Sequence, residues 1–270
     1  MLSFTDQLGR VIHLPSYPRR IISLVPSQTE LLFDLGLTEE VVGITKFCVL
    51  PHQWFHTKTR VGGTKNLNID VIRSLQPELI VGNKEENNQE QIEELSNEFP
   101  VWISNIDRLE TALRMIGSIG DITNKQKQAQ LIEKQIIENF SELRSRLHLE
   151  QLKYTARPRV AYLIWENPFM TVGGDTFIHA MLQECGFENI FQDCTRYPAI
   201  NSDDLRKRNC EVLLLSSEPY PFTKKHLEQL RLALPEIRII LVDGQMFSWY
   251  GSRLIHMPEY FLSLACHPEV

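Results

Sequence analysis

Between Asp121 and Arg157 the chain has neither glycine nor proline, the residues that most often place a turn or end a helix. Other absences narrow the class. No apolar run exceeds strand length, which excludes a membrane-spanning helix. Five cysteines (Cys48, Cys185, Cys194, Cys210, Cys266) form no C-x-x-C pair, which excludes a zinc ribbon or a thioredoxin-type motif; their odd number leaves at least one thiol per chain outside any internal bridge. Basic residues are outnumbered, 28 Lys and Arg against 34 Asp and Glu, and a net charge of −6 argues against nucleic acid as partner. The opening Met-Leu-Ser-Phe-Thr-Asp has no basic n-region and no apolar h-region, so no signal peptide is expected within the sequence. Catalytic signatures are missing too: there is no G-x-S-x-G elbow, no G-x-G-x-x-G after a strand and no Walker loop. Gly62-Gly63 and Gly173-Gly174 are too short to cradle a phosphate alone. His52 and His56 have metal-ligand spacing on a helix, but no third ligand is evident and Pro-His-Gln-Trp reads as a surface turn. No metal site and no cofactor are expected.

The uninterrupted stretch is itself the main positive feature. Ile132, Ile136, Phe140, Leu143 and Leu147 recur at helical spacing on one face. Thr123 with Gln126 reads as a capping box, and Pro158 closes the far end. The pattern predicts a helix from about Thr123 to Tyr154, roughly 45 Å long at ~1.5 Å per residue. A coiled-coil stalk is the alternative, with only about three heptads available. What flanks the stretch favours a spine joining two lobes.

On both sides, short apolar runs alternate with helical patterns, which implies parallel sheets covered on both faces. A hairpin is expected over Phe4–Leu14, and Ser27 with Glu30 reads as the cap of the first helix. The predicted fold is α/β: two Rossmann-like lobes with mainly parallel sheets joined by one long helix, residues 1–122, 123–156 and 157–270. The lobes echo each other. Asn68-x-Asp70-x-Ile72-Arg73 followed by Glu78-Leu79-Ile80 matches Asn201-x-Asp203-x-Leu205-Arg206 followed by Glu211-Val212-Leu213 without a gap.

Ligands bind at the carboxyl ends of strands in open α/β sheets. The loops expected there are rich in aromatics. Trp165 and Trp249 each sit just beyond a strand beside polar residues and suit a stacking wall for a large flat ligand; Phe47 and Phe247 are equally compatible with capping the core. The cations on these loops are Lys65, Lys84, Arg196 and Arg253.

In this order, Asp6-x-x-Gly9-Arg10, Arg20-Ile-Ile-Ser-Leu-x-Pro26-Ser-x-Thr-Glu30, Leu35-Gly36, Val61-Gly62-Gly63, Leu67-Asn68-x-Asp70, Pro77-Glu-Leu-Ile-Val81, the long helix, Gly186-x-x-Asn189-Ile-Phe191 and Trp249-x-Gly251-x-Arg253 cover nearly the whole chain. Together they resemble the class III, helical-backbone substrate-binding proteins of ABC importers, of the vitamin B12 and iron–siderophore type. Gly174 to Phe191 is especially similar to the cobalamin-binding members. The resemblance implies a non-enzymatic monomer that clasps a metal chelate in a cleft between lobes and delivers it to an ABC permease. The ligand set expected from the strand-end loops is Phe47, Gly63, Lys84, Trp165, Phe169, Tyr197, Trp249, Tyr250 and Arg253, with Phe47 on one lobe and Trp165 and Trp249 on the other. Few cations favour a neutral corrinoid; an iron–siderophore or haem is the alternative, and a cytoplasmic two-lobed enzyme the rival from another class. Asp70 and Asp203 stand where the family typically docks its permease through Glu. A Cys185–Cys266 disulfide is implied as well. The family's address is the periplasm or cell envelope; the missing leader pattern keeps the cytoplasm open.

Overall fold

The computed structural model describes residues 1–151 and 157–266. They form two compact units, taken separately here. Unit 1 comprises Met1–Ile106, Glu110–Ile136 and Trp249–Arg253; unit 2 comprises Asp107–Leu109, Ile137–Ser248 and the chain from Leu254 on.

Unit 1 opens with an antiparallel hairpin, β1 (Leu2–Thr5) and β2 (Val11–Leu14). Strand and helix then alternate: β3 (Ile21–Ser23), α1 (Pro26–Asp34), β4 (Val41–Ile44), α2 (His52–Thr57), β5 (Thr59–Arg60), the ribbon β6 (Gly62–Gly63) and β7 (Asn66–Leu67), α3 (Ile69–Ser74), β8 (Leu79–Asn83), α4 (Gln89–Ser96), β9 (Val101–Ser104) and α5 (Leu109–Ile122). The main sheet runs β5-β4-β3-β8-β9, all parallel. Every residue of β3, β8 and β9 is buried, as a sheet covered on both faces requires. The strand order reverses direction between β3 and β8, so the topological switch point lies beyond their carboxyl ends.

The helix α6 (Gln126–Gln151) follows. Ile132, Ile136, Phe140, Leu143 and Leu147 are all buried, as their spacing predicts. Its cap differs from expectation. Thr123 closes α5 instead, donating its hydroxyl to the Ile119 carbonyl at 2.6 Å, and Asn124 turns the chain at φ 58° before α6 begins. Residues 152–154, the expected end of the helix, lie outside the described residues.

Unit 2 continues with β10 (Arg159–Leu163), β11 (Phe169–Met170), α7 (Phe177–Glu184), β12 (Glu188–Asn189), β13 (Ala199–Ile200), α8 (Ser202–Lys207), β14 (Val212–Ser216), α9 (Lys224–Ala233), β15 (Arg238–Val242), α10 (Gln245–Ser248) and α11 (Met257–Cys266). Its sheet runs β12-β10-β14-β15, again all parallel, with the reversal between β10 and β14. Alternate residues serve two cores. Ala161, Leu163, Leu213 and Leu215 pack with Leu205 of α8, Leu230 of α9 and Leu234 at the C-cap of α9. On the other face Tyr162 meets Phe247 at 5.2 Å between ring centroids, Phe247 meets Phe261 at 5.0 Å, and Phe261 meets Phe140 of α6 at 6.5 Å. The Tyr162 hydroxyl donates to Ser216 Oγ at 2.9 Å, and burial pushes its pKa well above the usual phenol range.

Two further expectations change. α1 is capped by backbone alone: Val25 is the N-cap, Pro26 takes the first helical position, and no side chain caps the helix. His52 and His56 lie on a short helix rather than a turn, anchored by buried Trp54, whose ring meets Phe33 edge-on at 5.4 Å. Both histidines are exposed, and no His/Cys/Asp/Glu cluster fit for a metal occurs among the described residues.

The internal echo is structural. Asn68 accepts from Val71 N at 3.1 Å to cap α3; Asn201 accepts from Asp203 N and Asp204 N to cap α8. Arg20 binds the last carbonyls after α3, Leu75 O (Nε, 2.9 Å) and Gln76 O (Nε, 3.3 Å). Arg159 binds the matching pair after α8, Arg208 O (Nη2, 2.8 Å) and Asn209 O (Nε, 3.4 Å). Gln76 and Asn209 both adopt left-handed backbone, at φ 43° and 51°. Glu78 and Glu211 each accept a backbone N–H, from Arg19 just before β3 and from Arg159 at the start of β10.

Candidate functional site

Each unit presents its own set of loops at the carboxyl end of its sheet. In unit 1 a buried polar network fixes the two sides of the switch point. Gln28 Nε2 donates to Ser104 Oγ at 2.6 Å and to Gly82 O at 3.2 Å; Asn83 Nδ2 donates to Ser104 Oγ at 3.0 Å; Asn87 Oδ1 accepts from Asn83 N at 2.8 Å. Lys65 Nζ donates to the backbone carbonyls of Glu85 and Asn87, so this cation is committed to holding one loop to another. Phe47 is 52% exposed, with Lys46 Nζ 5.1 Å from its ring centroid. Gly63 lies against that ring, where a Cβ would come within 3.1 Å of Phe47 Cε2; neighbouring Gly62 has φ 98°, and a Cβ there would meet Asn66 O at 2.6 Å. Lys84 is exposed.

The segment Trp249–Arg253 belongs to unit 1, not to the second lobe where the sequence placed Trp249. Arg253 holds it there, with Nε 3.0 Å from Glu30 Oε2 and Nη2 2.5 Å from Glu30 Oε1, both side chains largely buried. The Arg253 guanidinium lies 4.7 Å from the Trp249 ring centroid, and the Tyr250 hydroxyl donates to Glu86. Burial, and then the charge of Glu86, push the Tyr250 phenol well above its usual pKa. Trp249 and Tyr250 are each only 6% exposed, and Arg253 is ion-paired. In this structure Arg253 ties the segment to Glu30 of α1, and Tyr250 ties it to Glu86.

In unit 2 the loops after β10 and β14 straddle the switch point. Trp165 and Glu166 follow β10, and backbone bonds between Trp165 and Met170 close their loop. Trp165 is 43% exposed and meets Tyr220, from the loop after β14, edge-on at 5.6 Å. The Tyr220 hydroxyl donates to Glu166 Oε2 at 2.5 Å, and that bond raises the phenol pKa. His226, in the first turn of α9, completes the cluster: Nε2 lies 3.4 Å from Tyr220 Oη and 3.6 Å from Glu166 Oε2. Its Nδ1 accepts the Thr223 backbone N–H at 2.9 Å, so the proton of the neutral ring sits on Nε2. The Thr223 hydroxyl is 2.9 Å from the same Nδ1. This has the outline of a base beside a nucleophile, but Nδ1 is already engaged by a backbone donor, and the contact is the capping box of α9. Phe169 is half-buried and packs on the core, and Tyr197, also half-buried, precedes β13, the partner of β11, with the Arg196 guanidinium 5.4 Å from its ring centroid. The ligand set thus divides into exposed faces (Phe47, Lys84, Trp165), half-buried ones (Phe169, Tyr197), and buried or paired groups (Gly63, Trp249, Tyr250, Arg253). Sequence reasoning sets Glu166 and Tyr220 on strand-end loops without assigning either to the ligand set, and does not single out His226. The signal available for them was an acidic residue directly after Trp165 and an aromatic three residues before the cap of α9.

The periplasmic binding protein family matches residues 21–235 of this chain. The chain belongs to that family. Among relatives of the family, it is 24% identical over 242 residues to the vitamin B12-binding protein of Pectobacterium atrosepticum, covering 88% of this chain and 85% of that one. Its fold is that of the periplasmic vitamin B12 binding protein of Vibrio cholerae (TM-score 0.77, 20% identity, 94% and 100% of the two chains). It is equally that of a periplasmic heme binding protein from Pseudomonas aeruginosa (TM-score 0.81, 18% identity, 94% of each chain). The α/β class and the paired parallel sheets read from the sequence agree with this membership. No helix among the described residues is long and apolar enough to cross a membrane.

Proposed function

We propose that this periplasmic binding protein carries a metal chelate, a cobalamin-type corrinoid, and delivers it to an ABC permease without chemical change. One observation carries the reading: the exposed indole of Trp165, seated edge-on against Tyr220 at the switch point of unit 2, offers an apolar face where open α/β sheets take their ligands. Exposed Phe47 on the corresponding edge of unit 1 adds a second face. The relatives named for vitamin B12 favour a corrinoid over haem, although a solved heme binding protein shares the fold. Titration calorimetry with cyanocobalamin, haemin and a ferric siderophore tests it. Cyanocobalamin is expected to bind, and Trp165→Ala to weaken it by ~1–3 kcal/mol, the usual loss for an aromatic anchor. Tight binding of the siderophore with no heat from cyanocobalamin would overturn the corrinoid assignment.

The permease contact is proposed to run through Asp70 on α3 and Asp203 on α8, whose side chains are 95% and 73% exposed. Each sits in the first turn of its helix with an Arg one turn on, Arg73 at 3.5 Å and Arg206 at 3.4 Å. Those arginines are held by Glu94 and Glu98 in unit 1 and by Glu236 in unit 2, leaving each Asp at most a long contact. The Cys185–Cys266 bridge also remains a proposal. Cys185 is buried at the end of α7 with Sγ 3.7 Å from the Phe261 carbonyl of α11, while the Cys266 side chain lies outside the described residues.

A further inference from the structure

The partners of the Glu166 carboxylate are a phenol and an imidazole. Tyr220 supplies an O–H, and His226 faces it with Nε2, protonated because Nδ1 is taken by the Thr223 backbone. Among the described residues no Lys or Arg lies within ion-pairing distance of it, and neither 164–169 nor 217–223, the loops that flank it, contains one. The nearest cations along the chain, Lys224 and Lys225, are exposed at the start of α9. Tyr220 engages Oε2, whereas Oε1 accepts no hydrogen bond from the described residues, and the side chain is 21% exposed beside the open indole of Trp165. The hydroxyl of Tyr220 holds the carboxylate in place, and the ring of Tyr220 holds Trp165.

A fixed negative charge with lone pairs to spare, next to an apolar stacking face, recognises N–H donors and repels other carboxylates. We propose that Glu166 is the specificity-determining residue of this edge, selecting chelates whose periphery carries amide or ammonium N–H groups over chelates whose periphery carries carboxylates. This rests on the chelate-binding reading and narrows its substrate class. Specificity of this kind is a difference of two affinities, built as much from the repulsive arm as from the attractive one.

The experiment uses two matched pairs, so that ring shape stays constant while peripheral charge changes: cyanocobalamin against its derivative with peripheral amides hydrolysed to carboxylates, and haemin dimethyl ester against haemin. Each is titrated by calorimetry and visible absorption into the full chain, Glu166→Gln and Tyr220→Phe, with circular dichroism to verify folding. The native chain is expected to prefer the carboxylate-free member by roughly 10- to 100-fold, the range of a charge-assisted hydrogen bond. Glu166→Gln should shrink that gap about tenfold, mainly by admitting the carboxylate form, whereas Tyr220→Phe, which keeps the charge, should preserve it. A gap that Glu166→Gln leaves unchanged, or no gap in the native chain, overturns the charge rule while leaving any observed corrinoid binding intact. A Glu166-dependent gap in the porphyrin pair alone overturns the corrinoid assignment and keeps the charge rule. No binding of either pair overturns both.

Discussion

His179 shows how a single buried side chain makes stability depend on pH. It lies on α7, 8% exposed, with Nδ1 3.3 Å from Asn189 Nδ2, and Asn189 in turn donates to the Val172 carbonyl at 2.9 Å. Burial pushes its pKa below the ordinary 6.5, with Asp175 opposing the shift. The folded chain therefore takes up a proton less readily than the unfolded one. Its contribution is complete above pH ~6.5 and is lost as pH falls from there through the lowered folded value. The thermal midpoint should drop between pH 7 and pH 5, and His179→Asn should flatten that slope; equal slopes in the two proteins would refute the assignment. Local sequence did not reveal this burial, nor did it separate the two tryptophans. Trp165 and Trp249 each follow a strand and neighbour polar residues, yet one is 43% exposed and the other 6%. The difference arises from a partner distant in sequence, Glu30, which pairs Arg253 and draws Trp249–Arg253 onto α1.

At the level of elements, α3 and α8 repeat one design and invite one test. Asn68 and Asn201 satisfy orphan N–H groups at the two helix starts. Asn68→Ala and Asn201→Ala should each cost about 1 kcal/mol in urea unfolding, and because they lie in different units the losses should add within ~0.5 kcal/mol. Asn201→Ala should be the more damaging, since the Asn201 side chain accepts two backbone N–H groups, from Asp203 and Asp204, where Asn68 accepts one, from Val71. The longer strands are legible because each is a short apolar run in a sheet covered on both faces, as in Val101–Ser104 and Val212–Ser216; the two-residue strands carry no such run. Caps are not legible. Thr123 and Ser27 both have the right chemistry for an N-cap, but Thr123 is taken by the Ile119 carbonyl of the preceding helix, and Pro26 moves the start of α1 ahead of Ser27. The helix around Trp54 was hidden by its length, six residues with a single buried anchor and no periodicity to detect.

For the whole molecule, two tests follow from the carrier reading. Asp70→Arg and Asp203→Arg should leave chelate affinity within about twofold, yet lower uptake through a reconstituted cognate permease by roughly tenfold each, with a reduced salt dependence. Unchanged uptake in the double variant would remove these carboxylates from the docking surface. A Cys185–Cys266 bridge would close a loop of about 80 residues and contribute roughly 4 kcal/mol on a chain-entropy account. A thiol count on protein isolated from its native compartment should then find two fewer reactive thiols after denaturation than the five cysteines of the chain. The bracket shared by the units carries a last consequence, for how such a protein can change over generations. From Asn68 to Glu78 and from Asn201 to Glu211 the spacing is identical, but Arg20 precedes Asn68 by 48 positions whereas Arg159 precedes Asn201 by 42. Within this bracket the difference in length falls between β3 or β10 and the capped helix, the interval that holds Phe47 and Gly63 in one unit and Trp165, Phe169 and Tyr197 in the other. Insertions and deletions can reshape those loops there, while each capped helix keeps its distance from the carboxylate that closes the bracket.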